Sequence, residues 1–468
     1  MQDITFTVKN VWPKLDPGEQ NLVGELAEEY KAFLNRARTE RETIAEAVLL
    51  AQQNGFVTLR QVERLRPGDK VYEINRGKAM VLAIIGSDAL ESGGNIVAAH
   101  IDSPRLDLKP VPLYEEEGLA LFKTHYYGGI KKYQWLSVPL AIHGIVVKQD
   151  GTRLELRIGD QPGDPVFTVS DLLPHLAKDQ MDKKLADAVP GENLNILVGN
   201  RPSAEASQEN QEKEPVRKAI AQYLYQTYGL VEEDLVSAEI ELVPAYPACD
   251  VGLDRSMVGG YGQDDRICAF AALKSLMDIT TVPRRTVIVL LADKEEIGSE
   301  GNTGMKSRFL ENFVAEAVAR MDHRLPELAA RRMLGNSRAL SADVNAAFDP
   351  TYKDVMDKNN AARLGCGVVL TKYTGSKGKL EANDAHAEFV AFVRRLFNEA
   401  GVAWQPGELG KVDQGGGGTV AHLLASYGMD VLDCGPGLLS MHSPFEVASK
   451  VDLYMAYKGY KAFLSAAG

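Results

Sequence analysis

Thr286-Val287-Ile288-Val289-Leu290-Leu291-Ala292-Asp293-Lys294-Glu295-Glu296-Ile297-Gly298-Ser299 is the stretch that decides the fold class. Residues 286–292 carry no charge and are mostly β-branched or leucine. The run is strand length, far short of the ~20 residues of a membrane span. Apolar character on both faces is what a strand covered on both sides requires. Carboxylates then crowd in at Asp293, Glu295 and Glu296, and Gly298 turns the chain. In open α/β sheets, ligands bind beyond the carboxyl ends of the strands, so a buried strand ending in acids is a candidate site.

Working outward, the spacing predicts helices over 265–279, 306–321, 384–400 and 449–466, with short strands over 339–342 and 430–433. Ser449 followed by Asp452 fits a helix N-cap arrangement. Towards the N-terminus, Leu22, Leu26, Tyr30, Phe33 and Leu34 recur at helical spacing, and 44–51 continues a helix after a break. Strand-like pieces follow at 70–74, 79–85 and 95–99. Strands separated by helices predict an α/β sheet with helices on both faces. The region from about 104 to 243 differs. It holds short β-type runs at 136–147, 153–158, 166–169, 193–198 and 238–243, a short helix starting near 172–177, and a polar surface loop over 203–214. The expected organisation is an α/β catalytic domain of residues 1–103 and 244–468, interrupted by a β-rich insertion of residues 104–243.

The 468 residues suffice for two or three domains. Lys plus Arg number 52 against 64 Asp plus Glu, a net charge of −12, which argues against a nucleic-acid partner. No apolar run is long enough for a membrane span, and Met1-Gln2-Asp3-Ile4-Thr5 does not start a secretory signal. Cys249, Cys268, Cys366 and Cys434 lie far apart without a Cys-x-x-Cys, so a reducing, cytoplasmic setting is expected.

Five clusters carry chemistry: Ala99-His100-Ile101-Asp102-Ser103-Pro104, Gly262-Gln263-Asp264-Asp265-Arg266, the acidic end of the opening stretch, Ser341-Ala342-Asp343, and Met441-His442-Ser443-Pro444. Singly, each is an ordinary turn, cap or solvated loop. Together they supply two histidines and several carboxylates, a donor set suited to zinc and similar divalent ions. One of two adjacent glutamates can ligate while the other takes a proton from water. Gly415 to Gly418 lacks the Lys-Ser or Lys-Thr of a phosphate-binding loop and reads as a close-packed turn.

In this order the clusters resemble the aspartyl aminopeptidase family of dinuclear metallopeptidases over most of the chain. The resemblance implies a phosphorylase/hydrolase-like three-layer α/β/α catalytic domain with a β-rich dimerisation insertion. It implies two divalent ions per subunit, zinc with cobalt or manganese as alternatives. Asp264 would bridge them, His100 and Asp343 would complete one site, and Glu296 and His442 the other. Glu295 would be the general base and Asp102 would orient His100. His175 looks like the family's insertion histidine that reaches a neighbouring subunit, and Lys372 like a substrate-pocket lysine. Phe445 stands where many members carry Arg, which places the chain nearer the vacuolar-type aminopeptidase I branch. The implied activity is removal of N-terminal residues from peptides by a homo-oligomer, built of dimers into a dodecamer. Two other readings of the same donor set are a dinuclear deacylase or carboxypeptidase of small amides, and a catalytically silent assembly protein.

Overall fold

The computed structural model describes residues 4–203, 213–321 and 325–467. The chain is a mixed α/β protein with several sheets, and it divides into two compact units. One comprises Met1–Asp102, Ala248–Met441 and Phe445–Gly468, the other Ser103–Pro247 and His442–Pro444.

In the first unit, among the described residues, nine strands form one sheet. Their order is Val57–Thr58, Lys70–Asn75, Ala79–Ile84, Thr286–Ala292, Gly94–His100, Arg338–Ser341, Asp430–Gly435, Val368–Thr371 and Trp404–Pro406. Thr286–Ala292 enters between two strands that are consecutive in the chain, antiparallel to Ala79–Ile84 and parallel to Gly94–His100. Arg338–Ser341 and Asp430–Gly435 extend the parallel set. Four strands therefore end on one carboxyl edge.

Strand alternation splits the apolar residues between two cores. Met80, Leu82, Val97, Val287 and Val289 pack with the helices Pro17–Arg36, Glu40–Gln53, Gln263–Met277, Ala387–Glu399 and Lys450–Leu464. Val81, Ala83, Ile96, Ile288 and Leu290 pack with Phe309–Ala319, Pro326–Gly335 and Ala421–Ala425. Every residue of Gln263–Met277 except Lys274 is buried, so this helix is a core element throughout. A five-stranded sheet lies in the same unit, with Glu446–Ser449 between Met257–Gly260 and Gly437–Leu439.

The second unit is built, among the described residues, on a seven-stranded antiparallel sheet. It also contains a helix, Pro215–Tyr228, in a stretch to which the sequence reading assigned no element. Of the surface loop expected over 203–214, residues 204–212 lie outside the described residues.

Three local expectations are corrected. Leu22 is 49% exposed while Val23 is buried, so the first helix presents a face rotated by one residue at its start. The 306–321 segment forms a shorter helix, Phe309–Ala319, and a second helix, Pro326–Gly335, follows it. Ser449 occupies the N-cap position of Lys450–Leu464, but its side chain makes no capping bond. Asp452 instead accepts the backbone N–H groups of Gly365 and Gly367 at 2.7 Å each. Two fixed donors outcompete a local cap.

Candidate metal centre

The carboxyl edge of the parallel strands gathers the acids and the first histidine. His100 is the last residue of Gly94–His100, Glu295 and Glu296 lie in the turn after Thr286–Ala292, and Asp343 follows Arg338–Ser341. Asp264 comes from the start of the buried helix, where its φ/ψ of −82/104° is not helical. The Asp264–Asp265 peptide is cis.

Around His100 the geometry is tight. Nε2 lies 3.0 Å from an Asp264 carboxylate oxygen and 3.9 Å from one of Asp343. Nδ1 lies 3.0 Å from the carbonyl oxygen of Asp102, which can only accept, so Nδ1 carries the proton and Nε2 the lone pair in the neutral ring. The Asp102 carboxylate is 3.5 Å from the same Nδ1. Its nearer partners are the backbone N–H groups of Glu295 and Glu296, each 3.1 Å away. Asp102 thus ties the acidic turn to the strand that carries His100. The turn is entered through Lys294 at φ +65°, the left-handed region that a non-glycine residue seldom adopts.

Within the first unit, among the described residues, two groups of side chains each bring one ligand atom within 4.8 Å of the others: His100 with Asp264 and Asp343, and His100 with Glu295 and Glu296. Burial raises the Asp343 carboxyl well above the usual carboxylate range, and Glu295, Asp264 and Asp433 add to the rise against the opposing His100. Burial acts against the His100 imidazolium, but contacts with Asp102 and Asp264 and the nearby Glu295 outweigh it and hold that pKa high. Crowded carboxylates sharing protons with an imidazole are a donor set for a divalent cation, which displaces those protons on binding. One imidazole nitrogen with carboxylate oxygens is also the ligand chemistry of zinc. The residues present fit a metal.

His442 lies in the segment His442–Pro444 that clusters with the second unit. Its Nδ1 is 2.9 Å from the Gly129 carbonyl oxygen, which fixes that nitrogen as the donor. His175 is exposed in the short turn Pro174–Leu176 of the same unit. Lys372 is exposed just after Val368–Thr371, a strand that runs antiparallel to Asp430–Gly435 and so leads away from the carboxyl edge.

Sequence reasoning missed two buried carboxylates of the first unit. Asp433 is pushed up to about 6 by burial and adds to the charge near Asp343. Glu446 is 1% exposed and accepts from the backbone N–H groups of Gln263 and Asp264. The available signal was an acid inside a short strand, four residues beyond His442. The tight packing expected of the glycine run holds at Gly415 and Gly416, where a Cβ would fall 1.6 Å from the Leu409 carbonyl oxygen and 2.2 Å from that of Gly375, but not at Gly417 and Gly418, where the nearest atoms are 3.5 and 3.9 Å away.

A family model described as aminopeptidase I zinc metalloprotease (M18) matches residues 33–464. A probable M18 family aminopeptidase 1 of Clostridium acetobutylicum is 49% identical over 467 residues, 99% of this chain and 99% of that protein. The crystal structure of an M18 aminopeptidase from Thermotoga maritima has a TM-score of 0.94 at 49% identity, over 98% of this chain and 100% of that one. The mApe1 dodecamer of S. cerevisiae has a TM-score of 0.75 at 23% identity, over 95% and 97% of the two chains, a likeness of fold.

Proposed function

This chain belongs to the aminopeptidase I zinc metalloprotease (M18) family and is a metalloaminopeptidase, and on that premise we propose how its residues divide the work. His100, Asp264 and Asp343 would hold one divalent ion, and on the family resemblance Glu296 and His442 would join Asp264 in holding a second. The observation that carries this reading is the convergence of Asp264, Asp343, Glu295 and Glu296 on one buried imidazole. The Gly129 carbonyl supports His442 as a ligand, since it leaves the lone pair on Nε2.

When bound, the ions supply Lewis acidity and lower the pKa of a water. Glu295 accepts that water's proton and delivers it to the leaving amine. Asp102 keeps Glu295 and Glu296 in place through their backbone N–H groups. His175 is assigned to the active site of a neighbouring subunit on the family resemblance; Lys372 is assigned to the substrate pocket on the same resemblance and against the direction of its strand, which leads away from the carboxyl edge.

The two cores support a three-layer α/β/α arrangement of the first unit, with residues 104–243 as the dimerisation insertion. Leu172, Leu173, Leu176, Met181 and Leu185 are exposed in that insertion, apolar surface that a second copy would cover. A dodecamer follows the yeast neighbour. Among the described residues no helix is long and apolar enough to cross a membrane, and all four cysteines are free thiols, which supports a reducing, cytoplasmic setting.

The test is hydrolysis of a panel of aminoacyl p-nitroanilides, with N-acyl amino acids alongside, before and after chelation and zinc add-back. Zinc-restored cleavage of free-amine substrates alone is expected, with the Glu295→Gln variant slower by about 10²-fold or more. Cleavage of N-acyl amino acids instead, or an unchanged rate in that variant, overturns the reading.

A further inference from the structure

Glu446 is not a metal ligand in the scheme above, yet it is the group that fixes the backbone of the central ligand. Helix Gln263–Met277 starts after Gly262, whose backbone is left-handed at φ +72° and which offers no side chain to cap the first N–H groups. Such orphaned donors need acceptors. A single Glu446 oxygen takes two of them, the N–H of Gln263 at 2.6 Å and that of Asp264 at 3.2 Å. The Gln263 side chain returns the contact by donating to the Glu446 carbonyl oxygen at 2.7 Å and to that of Val258 at 3.1 Å. Strand pairing of Gly260 with Glu446 completes the clamp.

Asp264 itself lies outside helical geometry, with its carboxylate on His100 Nε2. We propose that Glu446 is a positioning residue for the metal centre: its carboxylate sets where Asp264 presents its oxygens, and so how tightly the shared ligand holds metal. The inference rests on the reading of Asp264 as a ligand.

The experiment measures Zn²⁺ affinity by competition with a chromophoric chelator, and the visible absorption of the Co²⁺-loaded protein, for full-length variants. Glu446→Ala is expected to weaken Zn²⁺ binding by about tenfold or more and to alter the cobalt spectrum. Glu446→Gln keeps a neutral acceptor and should recover part of that loss. Asp452→Asn is the control: this buried carboxylate also accepts two backbone N–H groups, but away from the centre. It should lower the melting temperature and leave affinity and spectrum unchanged.

Wild-type affinity and spectrum in Glu446→Ala overturn the proposal. So does an Asp452→Asn variant that loses metal to the same degree, since general destabilisation would then suffice. If Glu446→Ala does not fold, Glu446→Asp, with its carboxylate one methylene short, takes its place under the same criteria. Asp264→Asn separates the two levels. Wild-type affinity there sinks the ligand assignment itself, whereas weakened binding there with normal binding in the Glu446 variants sinks only the positioning role.

Discussion

Replacing Asp102 with Asn tests the link between the histidine strand and the acidic turn. The carboxylate is fully buried and spans the N–H groups of Glu295 and Glu296, one to each oxygen, at 3.1 Å. Asparagine keeps one oxygen acceptor but turns the other position into a donor that faces an N–H. At least one charge-assisted bond is lost, worth about 1.5–3 kcal/mol. If that energy holds the turn in its working geometry, kcat/KM should fall by about 10–150-fold at saturating zinc. The fall should appear mainly in kcat, because the turn carries the proposed base. Initial rates on Leu-p-nitroanilide over a range of substrate and zinc concentrations separate kcat, KM and metal occupancy. A variant within twofold of wild type at saturating zinc would refute the argument that Asp102 positions the turn.

Gly435→Ala puts a Cβ 2.1 Å from the Asp343 carbonyl oxygen and 2.9 Å from Cys268 Sγ, so it should cost about 3 kcal/mol or more and weaken zinc binding, read by denaturant melts and chelator competition. Stripping zinc should abolish activity and lower the melting temperature; free zinc at about 1,000 times its Kd should restore about 4 kcal/mol of stability. Asp452 supplies a pH test. Burial raises its pKa to about 7 in the folded protein, against about 3.9 in an unfolded chain. The folded state therefore binds the proton more tightly, and this stabilising contribution is complete below about pH 4 and lost as pH rises towards 7. The stability of wild type relative to Asp452→Asn should fall by about 1.4 kcal/mol per pH unit across that window, and a flat difference would contradict the sign.

Most of the sheet was legible because its strands are continuous apolar runs, and the acids stand out against them. The metal-centre candidates were legible for the same reason: His100, Glu295 and Asp343 each sit at or just beyond the end of such a run. What escaped was decided by partners remote in the chain. Glu446 meets Gln263 across 183 positions, and its one local mark, an acid in a short strand just after His442, does not name that partner. Asp452 reads as a cap locally and is taken by Gly365 and Gly367 instead. Helix Pro215–Tyr228 has an amphipathic pattern comparable to that of Pro17–Arg36 and was legible in principle, but its segment was passed over between the polar loop and the strand that follows.

The position of Thr286–Ala292 between Ala79–Ile84 and Gly94–His100 governs timing. On a ribosome adding about 5–20 residues per second, the first two strands wait on the order of 10–40 s for the one that must separate them. Until then, neither Glu295 nor Asp343 has been made. An enzyme that trims N-termini is thus inert while its own emerges, a latency imposed by strand order.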